Sequence, residues 1–557
     1  MIVRTCIKRH PQLQPERCAI CRGFVPPSQL KRRQAAASVS PPLCKFLGEL
    51  TGETVLCKSC AGTVKIKLRT CEVYGSCTEA KKVGDTACCN GCPSKELKKQ
   101  IVLNMGAGGL GDGINGLIAS AAMKLANPQA EIVYRVGARA MPFVALFSGY
   151  DRLVPHEWDE SETVKPQAKT DLQLNAGYRH EMATKSELPR WLRYCQNAGV
   201  NPAGLASLRE PERIKKLGSD FVDYVVLAPL SSLSDREWPL PHWHELERLL
   251  AAKGYKTVVL HNEHERTEGF VSPKIINEPA ERVAGIMLNA LCVVGCDSGL
   301  SHVAGMLQVP SLVLCGQTSG DKVFGCYPTA RWVNGSLPCS GCYWQKPDWD
   351  RAKCSPICPS LAGITPGDVS RLLDPIALPQ LARHRTLVSE DRLQVIRDCL
   401  LVTKDLPGDV AELGVYRGGV SRIIKHFSPG VTLHAYDTFS GIPSDDQAEG
   451  GVHKAGDFPC GIDDVRAFLG DDGIAYHPGE FPGTAVDARY RFAHIDGDTY
   501  QTTRDAIAYF VPRMVPGGGI MVFDDYGWPR CPGVKLAIEE AGLKVEAPAA
   551  NQCVARF

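Results

Sequence analysis

The sequence predicts an α/β protein, with several parallel sheets covered by helices and a small cysteine-rich module ahead of them. Three observations predict it. Short apolar runs alternate with amphipathic ones from about residue 98 to 376; a second such series fills residues 385–557; and cysteines crowd the first 92 positions. Alternation of strand-like and helix-like runs implies parallel sheets with helices on both faces. A chain of 557 residues is too long for one core, so several domains follow.

Residues 1–97 form the first unit. Eleven of the 24 cysteines lie here, and residues 1–99 hold 18 Lys and Arg against 7 Asp and Glu, whereas the whole chain carries only +2. Met1–Pro11 has no apolar h-region and no apolar run is long enough to cross a bilayer, so the expected compartment is the cytoplasm. In a reducing compartment clustered thiols read as metal ligands or buried residues rather than disulfides. Cys18-x-x-Cys21, Cys57-x-x-Cys60 and Cys89-x-x-Cys92, with Cys44, Cys71, Cys77 and Cys88 between them, supply thiolates for two tetrahedral sites. Structural Zn²⁺ is expected, as a staple for a segment with no large core of its own, and the ligand pairing stays open. The basic charge alone does not choose between nucleic acid, an anionic glycan and another protein. The segment lacks interleaved aromatics, which disfavours a nucleic-acid partner.

Between residues 98 and 376, "IVLNMG", "EIVYRVG", "DYVVLAPL", "TVVLHN", "LCVVGCD" and "PSLVLCG" read as strands, and "HWHELERLLAAKG" and "SHVAGMLQ" as helices. The first strand runs into "MGAGGLGDGINGL", where Gly106, Gly108 and Gly111 match a dinucleotide fingerprint. Such a site needs a carboxylate ending the second strand, about twenty residues on. Here the strand's one acid, Glu131, stands at its start. Arg135 or Arg139 would suit a 2'-phosphate, yet Asp112 and Gly113 fall where the helix should begin, so the dinucleotide reading is set aside. Taken singly, Asp112 reads as a helix cap and His302 as a packed core histidine.

The larger pattern changes both readings. "GAGGLGDGINGLIASAAMKL", "DREWPLPHWHELERLLAAKGYKTVVLHNEHE", "DSGLSHVAGMLQVPSLVLCGQTS" and "ITPGDVSRLL" resemble the heptosyltransferase-like glycosyltransferase family 9 over roughly residues 100–375. The resemblance implies a GT-B-type pair of Rossmann-like domains, an acceptor domain at 98–220 and a nucleotide-sugar donor domain at 221–376, which transfer sugar with inversion. It implies Asp112 as the base, and Arg236, Glu263, Asp297, Ser298, Gly299 and His302 as donor-binding residues. Arg236 stands where the family carries a lysine, which keeps the charge and changes its geometry. Free N–H groups at the helix that begins with Gly299 suit a diphosphate. Cys339-x-x-Cys342 and Cys354-x3-Cys358 form a second four-thiol set, read either as another structural zinc site or as unpaired thiols.

After the proline-interrupted "LDPIALPQLARHR" the C-terminal series begins. "DVAELGVYRGG" ends a strand in an acid and a glycine turn, and "VTLHAYD" places Asp437 at the end of the next strand, as in a Rossmann-like S-adenosylmethionine site. "RFAHIDGDTY" and "GGGIMVFDDYGW" end in Asp496, Asp498, Asp524 and Asp525. Parallel neighbours lie about 4.8 Å apart, so these acids converge and need a cation or a proton. Oxygen-only ligands point to Mg²⁺ or a similar hard ion. The alternative is that Asp524 and Asp525 cap the next helix.

These motifs, with "YDTFSGIP" and "CPGVKLAIEEA", resemble the macrocin O-methyltransferase family over about residues 385–557. The resemblance implies a Rossmann-like class I methyltransferase domain acting on sugar hydroxyls with Mg²⁺. Asp496, Asp524 and Asp525 would hold the metal, Asp498 would act as base, and Glu412, Gly414 and Asp437 would hold S-adenosylmethionine. The whole then reads as a bifunctional glycan-modifying enzyme that takes a nucleotide-sugar donor and a glycan acceptor and is able to form oligomers. Two other readings remain: a methyltransferase with a non-catalytic glycosyltransferase-like scaffold, and a nucleic-acid-modifying methyltransferase.

Overall fold

The computed structural model describes residues 100–105, 109–156, 172–174, 189–202, 208, 217–261, 268–345, 357–446, 448 and 450–557, with two short strands upstream. Those strands, β1 (Glu53–Val55) and β2 (Lys65–Lys67), pair antiparallel. Cys18, Cys21, Cys57, Cys60, Cys89, Cys92, Glu263 and Cys354 lie outside the described residues.

From residue 100 the ten strand-like runs quoted above all form strands, and the described residues add seven strands that those runs did not include. β3 (Gln100–Asn104), β4 (Glu131–Gly137), β5 (Arg152–His156) and β6 (Leu172–Gln173) form a parallel sheet in the order β5-β4-β3-β6. β7 (Tyr224–Ala228), β8 (Lys256–His261), β9 (Lys274–Ile276), β10 (Cys292–Cys296), β11 (Ser311–Cys315) and β12 (Ala330–Asn334) form a second parallel sheet, ordered β12-β11-β10-β7-β8-β9. Its central strands are buried along their whole length, as expected of a sheet covered on both faces. The chain leaves β7 toward β8 on one side and returns to β10 on the other. That reversal opens a crevice at the carboxyl ends of β7 and β10.

The third sheet contains β13 (Asp409–Leu413), β14 (Leu433–Asp437), β15 (Ile474–Pro478), β16 (Tyr490–Ile495), β17 (Ile520–Asp524), β18 (Val545–Ala549) and β19 (Gln552–Arg556). Their order is β15-β14-β13-β16-β17-β19-β18, parallel except for β19, which runs antiparallel to both neighbours. Its reversal lies between β13 and β16.

The proline-interrupted stretch departs from its reading as a connector. It completes a continuous helix, Pro366–Leu381, with Pro375 and Pro379 inside it, so a boundary at 376 cuts through a helix. An interior proline costs a helix about 3 kcal/mol. Burial offsets that cost here. Val369, Leu373, Ile376, Ala377 and Leu381 join one hydrophobic cluster that also contains Val225, Leu227 and Val294 of the second sheet and Val410 and Phe492 of the third.

At the centre of this bridging helix the buried Asp374 accepts hydrogen bonds from Lys253 Nζ at 2.8 Å and from Arg397 Nη1 and Nη2 at 2.7 and 2.9 Å. Lys253 closes the helix Leu240–Ala252 that packs on the second sheet, and Arg397 belongs to helix Glu390–Thr403, just before the third sheet. Nearby, Asp223 pairs with Arg422 and Arg383, and Tyr255 packs edge-on against Phe427. The two catalytic-type units therefore share a core and a buried ion cluster. Among the described residues, no helix is long and apolar enough to cross a membrane.

Removing the shared carboxylate strands two cations at the seam. Asp374→Ala is expected to lower stability by about 3–5 kcal/mol in urea titrations followed by circular dichroism, and Asp374→Leu with Arg397→Met to recover most of it. A loss under about 1 kcal/mol for the single variant would assign the seam to apolar packing alone.

Candidate active sites

In the C-terminal sheet the two loops flanking the reversal touch. Gly414 ends β13 with φ +91°, and a Cβ there would stand 1.8 Å from the Asp496 carbonyl oxygen, so only glycine fits. Asp437 ends β14. Its Oδ2 accepts from the Val415 and Tyr416 amides at 2.7 and 2.9 Å, and its Oδ1 from the Phe439 amide at 2.7 Å. A carboxylate has about four acceptor positions, so Asp437 fastens the glycine loop and keeps capacity for a ligand. Glu412 sits behind this wall rather than in it. It is buried, accepts from the Ser421 hydroxyl and lies 3.4 Å from His494 Nδ1. Burial holds its carboxyl above the usual range. Its place is support of the sheet end, not the cavity lining expected from the sequence.

A cavity of about 350 Å³ opens here, lined by Gly414, Asp437, Asp496, Asp498, Asp524 and Asp525 among others. Ligand oxygens of Asp496, Asp498 and Asp525 lie within 4.8 Å of one another, and His494, Asp496 and Asp524 form an overlapping trio. Asp498 and Asp525 hold left-handed backbones, φ 59° and 58°, a conformation that non-glycine residues keep mainly where the surroundings impose it. Burial, then the neighbouring carboxylates, hold Asp496 and Asp498 well above the carboxylate range; Asp524 is raised too, chiefly by burial. One cation answers them. Arg392 Nη1 lies 2.5 Å from Asp524 Oδ2 and 3.3 Å from Asp525 Oδ1, while Gln552 donates to Asp524 Oδ1 at 2.9 Å. Among the described residues Asp496 and Asp498 have no ion pair. Four converging acids with one guanidinium fit a hard divalent cation.

The crevice between β7 and β10 has the opposite balance. Arg236 Nη1 lies 3.3 Å from Asp297 Oδ2, and although burial opposes it, Arg236 and His302 hold the Asp297 carboxyl below the usual range. His302 Nδ1 meets the Tyr327 hydroxyl at 3.1 Å, and its ring stacks on Phe324. Burial pushes the His302 pKa down to about 4, so the ring is neutral at pH 7. It also packs on the glycine loop, since a Cβ at Gly111 would meet His302 Cδ2 at 2.5 Å. Gly299 abuts Leu110 in the same way, which sets the N-termini of helices Leu110–Ala126 and Gly299–Met306 against each other. Among the described residues the buried Ser298 hydroxyl has no hydrogen-bond partner.

Asp112 proves to be a cap, and more than a cap. Its Oδ2 accepts from the Gly109 amide at 3.1 Å, while Oδ1 receives the Tyr194 hydroxyl at 2.6 Å and lies 3.4 Å from Arg190 Nη1. The structure thus assembles Asp112, Arg236, Asp297, Ser298, Gly299 and His302 along one seam. Cys342 and Cys358 are buried and Cys339 is half-buried, and these three do not form a three-ligand group among the described residues. Sequence reasoning missed Arg190, Tyr194, Arg392 and His494. Positions 190 and 194 are one helical turn apart in "RWLRYC", a spacing that puts both on one face; His494 stands two residues before Asp496 in "RFAHIDGDTY", and Arg392 sits in no quoted motif.

Two parallel α/β domains meeting at a charged seam, followed by a seven-stranded sheet with one reversed strand, define a GT-B-type pair joined to a class I methyltransferase fold. Residues 196–347 match the family model for glycosyltransferase family 9 (heptosyltransferase), and residues 374–541 that for macrocin-O-methyltransferase (TylF). Mycinamicin III 3''-O-methyltransferase of Micromonospora griseorubida is 33% identical over 170 residues, 26% of this chain and 66% of that protein. Lipopolysaccharide heptosyltransferase 1 of Escherichia coli (strain K12) is 31% identical over 120 residues, 20% of this chain and 38% of that one. The chain spans just under two thirds of the first relative's length and over a third of the second's. The solved structure of E. coli ADP-heptose lps heptosyltransferase II is 19% identical, covering 50% of this chain and 99% of that one, at a TM-score of 0.38.

Gly414→Ala is expected to abolish S-adenosylmethionine binding in calorimetric titration, because the methyl group meets backbone rather than a movable side chain. His302 yields a pH dependence. Its folded pKa, about 4, lies below its ordinary 6.5, so its contribution is complete above pH 6.5 and is lost as pH falls toward 4. The stability difference between wild type and His302→Asn should therefore shrink across that window in chemical denaturation at stepped pH; a constant difference would contradict a neutral, buried His302.

Proposed function

We propose that the chain is a bifunctional glycan-modifying enzyme, an inverting glycosyltransferase fused to a Mg²⁺-dependent sugar O-methyltransferase. The observation that carries this reading is the pairing of two reversal-point crevices in one body. One is lined by arginine–aspartate pairs suited to an anionic donor, the other by four acids suited to a cation.

In the C-terminal cavity Asp437 would hold ribose hydroxyls, and Gly414 would admit the methionine part of S-adenosylmethionine. That cofactor supplies an electrophilic methyl group, and Mg²⁺ held by Asp496, Asp524 and Asp525 would acidify the acceptor hydroxyl. Asp498, whose carboxylate lies beside those of Asp496 and Asp525, would take the hydroxyl proton as the oxygen attacks. Arg392 and Gln552 fix Asp524. In the middle region Asp112 would take the proton of the acceptor hydroxyl as a new glycosidic C–O bond forms and the C–O bond to the leaving diphosphate breaks. Arg190 and Tyr194 hold Asp112. Arg236, Ser298 and the first amides of helix Gly299–Met306 would hold the diphosphate. Partners on this reading are a nucleotide sugar and a glycan acceptor.

Given S-adenosylmethionine, Mg²⁺ and a panel of sugar acceptors, the protein should transfer methyl groups, with chelator or Asp524→Asn reducing the rate at least ~100-fold. Transfer indifferent to both would overturn the metal-assisted chemistry. Nucleoside diphosphate release from nucleotide sugars should fall about 100- to 10,000-fold in Asp112→Ala. Unchanged release would remove Asp112 as the base, and no release by the wild type would make the middle region a scaffold.

A further inference from the structure

Gln317 is the feature of the middle region left without a role. It follows β11, in the loop beside the Asp297–Ser298 turn that follows the neighbouring strand β10. The residue is 2% exposed, yet among the described residues neither Nε2 nor Oε1 of its side chain has a hydrogen-bond partner. Its carbonyl accepts from the Tyr343 amide at 3.0 Å, and the Tyr343 ring lies 5.8 Å from the Arg190 guanidinium that pairs with Asp112. The next residue, Thr318, supports Asp297. Gln317 thus lies in a loop next to the Asp297–Ser298 turn, one backbone hydrogen bond from the tyrosine whose ring faces Arg190.

A buried amide with both ends unmatched costs about 1–3 kcal/mol per group, and folded proteins retain few of them. What would match this one is set by its chemistry. The amide offers two donors and an acceptor. A diphosphate only accepts and would leave Oε1 unpaired, whereas a sugar hydroxyl both donates and accepts. We propose that Gln317 hydrogen-bonds hydroxyls of the sugar being transferred and selects the donor through them. This inference rests on the glycosyltransferase reading.

Calorimetric titration of the full chain with ADP, GDP and UDP, and with their hexose and heptose conjugates, tests it in wild type, Gln317→Leu and Gln317→Glu. Gln317→Leu should leave the nucleoside diphosphate Kd within about twofold and weaken the nucleotide sugar about 10-fold or more. Its unliganded melting temperature should equal or exceed that of the wild type, since an unmatched amide has gone. Gln317→Glu, which keeps an acceptor in the same shape, should bind the nucleotide sugar with intermediate affinity. Equal changes for nucleotide and nucleotide sugar, or none for either, would overturn the role of Gln317 and leave the glycosyltransferase reading standing. A wild type that binds none of these ligands would overturn both.

Discussion

The arrangement depends on one buried carboxylate. Asp374 collects Lys253, which closes the helix on the second sheet, and Arg397 of helix Glu390–Thr403, and so ties the two units together at one buried point. Five residues before Arg397 the same helix carries Arg392, the cation that answers Asp524 and Asp525. The seam between the units and the charge balance of the methyltransferase-like cavity are therefore set by one rigid element. A buried ion cluster gains little stability over apolar packing, and its usual contribution is to fix orientation. Here the helix it holds reaches into a site.

The two crevices use the same architectural device for opposite charges. Both lie at the carboxyl ends of parallel strands where the chain reverses direction. Along the seam of the middle region two acids are matched: Asp297 by Arg236, and Asp112 by Arg190. In the C-terminal sheet the four acids outnumber Arg392, the one arginine paired with them among the described residues, and two of the acids hold left-handed backbones that keep their carboxylates on the cavity. A matched pair can open toward an anion through its cation, whereas an unmatched cluster calls a cation in. The contrast follows from four or five side chains on otherwise similar frames.

Much of this was legible in the sequence. Strand positions followed from apolar runs such as "YVVLA" and "CVVGC", because strands covered on both faces have no polar side to blur them. The acids of the C-terminal cavity were legible because strand ends in one parallel sheet must converge. The bridging helix was not: Pro375 and Pro379 read as breakers, and what overrides them is a tertiary core that no local window contains. Arg392 was likewise invisible, since its meaning comes from Asp524 and Asp525, more than a hundred residues away; His494 and Gln317 lie inside the quoted motifs but carry no signal of their own there. Glu412 was misplaced for a simpler reason. A strand's side chains alternate between the two faces of the sheet, and motif spacing does not say which face Glu412 takes.

The continuous hydrophobic cluster that runs from the second sheet through the bridging helix into the third makes the pair a single unit of folding. Its consequence is one of supply and inheritance. Both activities would be made in equal number and cleared together by proteolysis, and a lesion in either half would remove the other from the cell.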